Sequence, residues 1–486
     1  MRVCVPVCAK NVAEMAEACR RASEVADVIE LRLDCLEDSD FEIETFVKKL
    51  SHPIILTFRP VEQGGYRALG RPEREAFWNT DLKANLLCDI EADLVLTNSF
   101  DWPRVIVSHH DFNGVPDDLE EIYERLAATP ARVVKIAVKA KDITDCIRVF
   151  RLLERAQSEQ RELIAIAMGN AGIATRVLGP SRGAYLTYGS LEDESATAPG
   201  QVNARALRSV YRIDEIDRET MICGLVGMPV MHSVSPHMHN AAFAAAGLNG
   251  VYLPLEVREL ESFVRRMIHP KTRELDWNVR GLSITAPHKS SVMELLDWIE
   301  PDAQEIGAVN TIVVEDHELH GYNTDVHGLI EPLRERVGLL DGLRVAVIGA
   351  GGAARAAVWA LSKDGARVTL FARDAIKGGL LAEAFGVSCE ALSGASFRGY
   401  DVVINATPEC PATAEQLAGA GVGYDLIYNP IETGFLKEAR AAGCQTLGGL
   451  PMLVAQACLQ SELWTGKTPP AEVMHDAAIA ALGRAL

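Results

Sequence analysis

The sequence predicts an α/β protein: a closed (β/α)₈ barrel in the first half, then a module of two further α/β units. Three observations carry this. The chain has 486 residues, too many for one ordinary core. Over the first half, short β-rich runs alternate with amphipathic helical stretches. The rhythm then changes twice, at "MICGLVGMPVMHSVSPHMHNAAF" (221–243) and at "LRVAVIGAGGAARAAVWAL" (343–361).

The β-rich runs are 2–9, 27–34, 53–59, 92–98, 104–112, 132–140, 161–169 and 183–190. Helical stretches such as "DDLEEIYERLAAT" and "DITDCIRVFRLLERAQ" separate several of them. This alternation signals parallel strands joined by helical crossovers. About eight units in roughly 200 residues suit a closed barrel; an open doubly wound sheet is the alternative. Residues 203–220 read as a closing helix and linker.

The hydrophobic fraction is 48% and the charged fraction 24%, an ordinary globular balance. No apolar run is long enough to span a bilayer. The first residues, MRVCVPVCAK, resemble neither a secretory signal nor an Arg/Ser-rich transit peptide. Eleven cysteines are scattered without a CxxC pair, so buried free thiols are expected rather than a zinc site or redox pair. That reading implies a reducing cytoplasm. A net charge of −19 excludes a nucleic-acid partner and means that an anionic substrate needs locally placed cations.

Strand ends of a barrel gather at one mouth. Glu30, Arg32, Arg59 and His110 fall at such ends, with Arg176 and Gln201 further on. One arginine at a strand end is more often a solvated ion pair, and one histidine a structural residue. A converging set is harder to explain that way. Lys135 stands inside the apolar run "ARVVKIAVKA". A buried ammonium must be paired or lose its proton. Desolvation and neighbouring cations would free the amine to attack a ketone. Lowering a lysine from its usual pKa by about three units costs about 4 kcal/mol. The resulting iminium acidifies the adjacent carbon, from which a histidine could remove the proton.

The motifs "ELRLD", "TFRP…QGG", "SHHDF", "KIAV", "GIATR" and "TAPGQ" occur in this order over residues 1–205. This stretch resembles the type I 3-dehydroquinate dehydratases. The resemblance implies Lys135 as the Schiff-base lysine and His110 as the general acid/base. Arg176 would bind the substrate carboxylate, with Glu30, Arg32, Arg59, Thr197 and Gln201 lining the site. Gln63 stands where the family usually has Glu, and Thr197 where Ser is usual.

In the last part of the chain, Gly349, Gly351 and Gly352 lie between an apolar strand and a helix. Such a turn presents backbone N–H groups to a pyrophosphate, and Ala354 at the third position is tolerated. The next strand ends in Arg373 and Asp374; the arginine suits a ribose 2′-phosphate and the acid a plain diol. The reading adopted is NADP, with NAD as the alternative. His232, His237 and His239 have no nearby acid or cysteine in a ligand pattern, so a metal is not expected. Ser233, Ser235, Thr285 and Asn310 read as hydrogen-bond partners for a polyol acid, and Lys289 with Asp325 as a proton-handling pair.

"SVSP", "TAPHK", "GAVNT", "NTD", "GAGGAAR", "NAT" and "GLPMLVAQA" follow one another over 222–486. This half resembles shikimate dehydrogenase. The resemblance implies Lys289 and Asp325 as the catalytic pair. It places Ser233, Ser235, Thr285, Asn310, Tyr428 and Gln456 on the substrate, and Gly349, Gly351, Gly352, Arg373 and Thr407 on the cofactor. Asp374 and the segment "NATPEC" depart from the family pattern on the nucleotide side.

The full expectation is a TIM-type barrel over 1–215, a substrate-binding α/β domain over 220–322 completed by 452–486, and a Rossmann-type nucleotide domain over 323–451. Together the two resemblances imply consecutive dehydration and reduction of small cyclic carboxylates. The alternatives are an NAD-dependent quinate/shikimate dehydrogenase joined to the barrel, and a ligand sensor that has lost both reactions. No membrane partner is expected, and the oligomeric state is left open.

Overall fold

The computed structural model describes residues 2–38, 41–79, 86–95, 100–192 and 197–484. In the first half, β1 (Val3–Val7), β2 (Val28–Arg32), β3 (Ile54–Thr57), β4 (Leu87–Glu91), β5 (Val105–Asp111), β6 (Val133–Lys139), β7 (Glu162–Met168), β8 (Thr187–Ser190) and β9 (Val202–Asn203) form one parallel sheet. Their order is β7-β6-β5-β4-β3-β2-β1-β8-β9. A parallel bridge between Leu163 and Ala184 joins the β7 side to the β8 side, so the sheet curls shut.

Period-2 alternation splits each strand. Cys4, Val28, Ile55, Ile106, Val133, Ile164 and Leu186 fill the barrel interior, whereas Val5, Leu31, Leu56, Ile90, Val107 and Val134 pack outward against the helices. The same alternation puts Glu30, Arg59, Asp89, His110 and Lys135 on the inner face, towards the strand C-termini.

The strand expected at 92–98 is a correction. The fourth strand is Leu87–Glu91, and Ala92–Val95 is a short helix; residues 96–98 lie outside the described residues. In β4, Cys88 and Ile90 face the helices while two carboxylates, Asp89 and Glu91, interrupt the apolar signal on the inner side. The more continuous apolar stretch that follows belongs to a helical turn.

The cysteines need a second correction. Cys8 and Cys35 are disulfide-bonded, with Cα atoms 5.4 Å apart. Cys8 follows β1 and Cys35 sits in the 3₁₀ turn after β2; these strands pair in parallel, Val7 beside Leu31. One β/α unit, 27 residues, separates the two in sequence, so spacing alone does not show the pair.

The second sheet contains β10 (Met221–Gly227), β11 (Gly250–Glu256), β12 (Val279–Ile284), β13 (Trp298–Ile299), β14 (Thr311–Glu315) and β15 (Glu318–Tyr322), ordered β11-β10-β12-β14-β15-β13. The third contains β16 (Arg344–Ile348), β17 (Arg367–Ala372), β18 (Ser388–Ala391), β19 (Val402–Asn405), β20 (Val422–Asp425) and β21 (Gln445–Leu447), all parallel, ordered β18-β17-β16-β19-β20-β21.

The C-terminal helices Gly449–Thr465 and Ala471–Arg484 return to the second sheet. Gln460 Nε2 donates to Thr311 Oγ1 at 2.9 Å, and Trp464 Nε1 donates to the Ile312 carbonyl at 3.0 Å. Barrel and second sheet share one contiguous apolar core. Polar contacts edge it: Asp142 Oδ2 accepts from the Arg258 and Glu259 backbone N–H groups, and Asn170 Nδ2 donates to Glu256 Oε2 at 3.3 Å. No helix among the described residues is long and apolar enough to cross a membrane.

Closing a loop of 27 residues stabilises the fold by about 3 kcal/mol in the chain-entropy picture. Reductant is therefore expected to lower the denaturant midpoint of the barrel. Cys8→Ser should sit at the reduced value and no longer respond to reductant.

Candidate active sites

All eight barrel residues singled out from the sequence line one cavity at the mouth: Glu30, Arg32, Arg59, His110, Lys135, Arg176, Thr197 and Gln201. Lys135 is 5% exposed. Its Nζ donates to Asp89 Oδ2 at 2.7 Å and to Tyr188 Oη at 3.0 Å, and lies 3.7 Å from Glu30 Oε1. The nearest charges are thus carboxylates, not the cations expected from the sequence. The closest guanidinium, Arg59, reaches the same Asp89 Oδ2 at 2.7 Å from the other side. Asp89 is completely buried, a place where an anion persists only if paired. Against the upward push of burial, Arg59 and Lys135 hold its carboxyl well below the usual range.

His110 completes the chain of contacts. Arg59 Nη1 donates to His110 Nε2 at 2.7 Å. A guanidinium has no acceptor, so Nε2 holds the lone pair and Nδ1 the proton. Burial, then the Arg59 and Lys135 charges, push the His110 pKa well down, leaving the ring neutral near pH 7. Among the described residues its Nδ1 and Gln63 Oε1, both buried, have no hydrogen-bond partner, and both residues line the cavity.

Arg32 is clamped by Asp34 through two bonds (3.0 and 2.7 Å) and donates to the Gly64 carbonyl at 3.0 Å. Thr57 Oγ1 donates to Glu30 at 2.6 Å. Arg176 is 1% exposed and donates to the Pro199 carbonyl at 3.3 Å; its Nε has no partner among the described residues. Burial lowers its pKa to about 10, so it keeps its charge at neutral pH. Such a guanidinium is set to receive an anion. Gln201 Oε1 accepts from the Thr197 N–H at 2.9 Å.

In the second half, Ser233, Ser235, Thr285, Lys289, Asn310, Asp325, Tyr428 and Gln456 also line a single pocket, formed between the second and third sheets. Lys289 Nζ donates to Asp325 Oδ2 at 2.5 Å, and Asn310 Nδ2 donates to Asp325 Oδ1 at 2.8 Å. Asp325 opens the helix Asp325–Val337, where a carboxylate is favoured by the helix dipole. Ser233 Oγ donates to Ser235 Oγ at 3.1 Å.

The nucleotide candidates lie apart from this pocket, along the C-terminal edge of the third sheet. Gly349 has φ +125°, and a Cβ there would come within 3.1 Å of the Ala406 carbonyl and Thr407. Gly351 and Gly352 face open space, and no side chain caps the helix Gly352–Lys363. Its first N–H groups are therefore available to a pyrophosphate, so the residues fit a dinucleotide. Asp374 Oδ1 accepts from the Ile376 and Lys377 N–H groups, capping the helix Ala375–Phe385.

Comparison with known proteins matches the description "Type I 3-dehydroquinase" over residues 3–218. "Shikimate dehydrogenase substrate binding domain" matches 225–312 and "Shikimate 5'-dehydrogenase C-terminal domain" 449–479. A bifunctional 3-dehydroquinate dehydratase/shikimate dehydrogenase of Arabidopsis thaliana, named as chloroplastic, is 33% identical over 97% of this chain and 83% of its own length. The chain belongs to the bifunctional 3-dehydroquinate dehydratase/shikimate dehydrogenase family.

A shikimate dehydrogenase (NADP(+)) of Carboxydothermus hydrogenoformans is 41% identical over 54% of this chain and 98% of its own. Among solved structures, a shikimate dehydrogenase in complex with NADP+ is 38% identical, with a TM-score of 0.51 over 55% of this chain and 97% of that one. A quinate dehydrogenase of Corynebacterium glutamicum in complex with NAD is 29% identical, with a TM-score of 0.50 over 54% and 99%.

Sequence reading of this family member missed Asp89, Glu91 and Tyr188. Alternation was the available signal: in "LCDIE" the acids sit two apart, on one strand face. It also missed Ser283, which lines the second pocket and bonds Tyr252 and Gln460 at 2.7 Å each. His239 is a core residue, stacked 4.3 Å from Tyr252, with neither ring nitrogen bonded among the described residues.

Burial lowers the His239 pKa to about 3, against about 6.5 in an unfolded chain. Above about 6.5 both states are neutral there; as pH falls towards 3 the unfolded state binds the extra proton and stability is lost. The loss is on the order of 5 kcal/mol at full extent. His239→Phe is expected to flatten the stability–pH curve between pH 6.5 and 4 in denaturant titrations.

Proposed function

We propose that Lys135 and His110 dehydrate 3-dehydroquinate through a Schiff base, and that Lys289 and Asp325 serve reduction of the resulting 3-dehydroshikimate to shikimate by NADPH. The observation that carries the first half is Lys135, buried and joined through Asp89 and Arg59 to a neutral histidine in one cavity. The lysine amine attacks the ketone carbon and water leaves, giving the iminium. Once Arg59 releases its Nε2 lone pair, His110 takes a proton from the neighbouring carbon there and passes it to the departing hydroxyl, so a second water leaves. Hydrolysis of the iminium consumes one water and frees the lysine, for a net loss of one. Arg176 would hold the substrate carboxylate, and Glu30, Arg32, Arg59, Thr197 and Gln201 its hydroxyls.

In the second pocket, the bound nicotinamide would supply the hydride. Asp325 orients the Lys289 ammonium, which delivers a proton to the ketone oxygen as negative charge develops there. Ser233, Ser235, Thr285, Asn310, Tyr428 and Gln456 would hold the ring hydroxyls and carboxylate. Gly349, Gly351, Gly352 and Thr407 would cradle the dinucleotide. Arg373 would take the 2′-phosphate, a reading supported by the engagement of Asp374 in its helix cap. NAD is favoured by one observation only, the pairing of Arg373 with Glu409.

The three sheets support the division into 1–215, 220–322 with 452–486, and 323–451. A cytoplasmic setting rests on nine unbonded cysteines, six of them buried. The Cys8–Cys35 bond argues the other way.

Borohydride with 3-dehydroquinate should trap one adduct, and peptide mass mapping should place it on Lys135; an unmodified Lys135 with product still forming would overturn the imine. Lys135→Ala is expected to remove dehydration by at least a thousandfold while dehydroshikimate reduction persists, with a loss of that order flagged by lost covalent catalysis. Lys289→Ala should do the reverse. A variant that stays folded yet loses both activities would refute two separate sites.

A further inference from the structure

At the C-terminal edge of the third sheet, Arg373 Nη1 donates to Glu409 Oε2 at 2.8 Å. Both side chains are about two-thirds exposed, 67% and 63%. The loop that carries Glu409 is tied to the sheet. The Glu409 carbonyl accepts from Asn405 Nδ2 at 3.0 Å and from Thr407 Oγ1 at 3.3 Å. Asn405 is itself fully buried; its Nδ2 also donates to Asp425 Oδ1 at 3.1 Å, while its Oδ1 accepts from Thr407 N and Oγ1 at 2.9 and 2.7 Å. The turn is thereby held over the end of β19, and Glu409 is presented to Arg373 rather than left to wander. Asp374 Oδ1 caps its own helix, and Glu409 is the carboxylate paired with this guanidinium.

We propose that Glu409 is a specificity-determining residue of the nucleotide site, occupying the guanidinium that a ribose 2′-phosphate needs. This rests on the reading of Arg373 given above. A 2′-phosphate must displace the carboxylate or accept a like charge beside it. A plain diol leaves the pair intact and gains an acceptor. A bidentate arginine–phosphate contact is stronger than an exposed carboxylate pair, so the phosphorylated nucleotide still binds in preference, by a reduced margin.

The test is calorimetric titration of the intact chain with adenosine 2′,5′-bisphosphate, adenosine 5′-monophosphate, NADP+ and NAD+, none of which requires turnover. Glu409→Gln keeps the shape and removes the charge. It should tighten the bisphosphate and NADP+ by about two- to five-fold, the scale of an exposed ion pair, and leave the monophosphate and NAD+ unchanged or weaker. Arg373→Ala should weaken the bisphosphate by about tenfold or more without affecting the monophosphate. If Arg373→Ala behaves so and Glu409→Gln changes nothing, the role of Glu409 is overturned and the phosphate site stands. If Arg373→Ala leaves the bisphosphate unchanged, both are overturned. Dehydratase turnover checks the barrel of each variant, and its thermal unfolding midpoint checks the nucleotide domain.

Discussion

The first half of this molecule depends on a carboxylate, Asp89, buried between two cations. It takes Lys135 on one side and Arg59 on the other, each at 2.7 Å, and Arg59 passes the contact on to His110. Removing charges from water costs several kcal/mol per ion, and such a group survives only when each charge finds a partner. The barrel supplies that setting. Its lower interior is filled by Val28, Ile55, Ile106, Val133 and Ile164, so the polar groups are pressed towards the open end, where a substrate can reach them. A soft, solvated lysine would have neither a fixed direction nor a fixed set of neighbours.

The second half meets the same requirement in another way. Lys289 and Asp325 are only partly buried, 28% and 14% exposed, and the pair is held by Asn310 and by the start of a helix rather than by a closed sheet. The pocket needs both sheets: Ser233, Thr285 and Lys289 come from the second, Tyr428 from beyond the third, and Gln456 from the returning C-terminal helix. The end of β11 and the segment after it touch both halves. Glu256, Arg258 and Glu259 meet Asn170 and Asp142 of the barrel, while the Val257 carbonyl bonds His288, the neighbour of Lys289. One short stretch of backbone thus borders the surroundings of both sites.

The site residues were mostly legible because each sits in a local pattern: a polar residue at the end of an apolar strand, a glycine turn before a helix, a hydroxyl pair. Lys135 was conspicuous because nothing local could satisfy it. Asp89, which does satisfy it, lies 46 positions away on another strand, where two acids disguise that strand as a loop. The thiol pairing was hidden for a similar reason, since Cys8 and Cys35 meet only when β1 and β2 align.

The sequence by itself determined the order of the units, the parallel character of the barrel strands and the two sets of polar residues, because periodicity and turn chemistry act over a few residues. Tertiary structure alone decided which charges became partners: carboxylates rather than cations beside Lys135, a guanidinium on His110, and Glu409 on Arg373. The physical reason is range. An ion pair is decided by distances of about 3 Å between atoms that chain spacing leaves far apart, and those distances exist only once the sheets have closed.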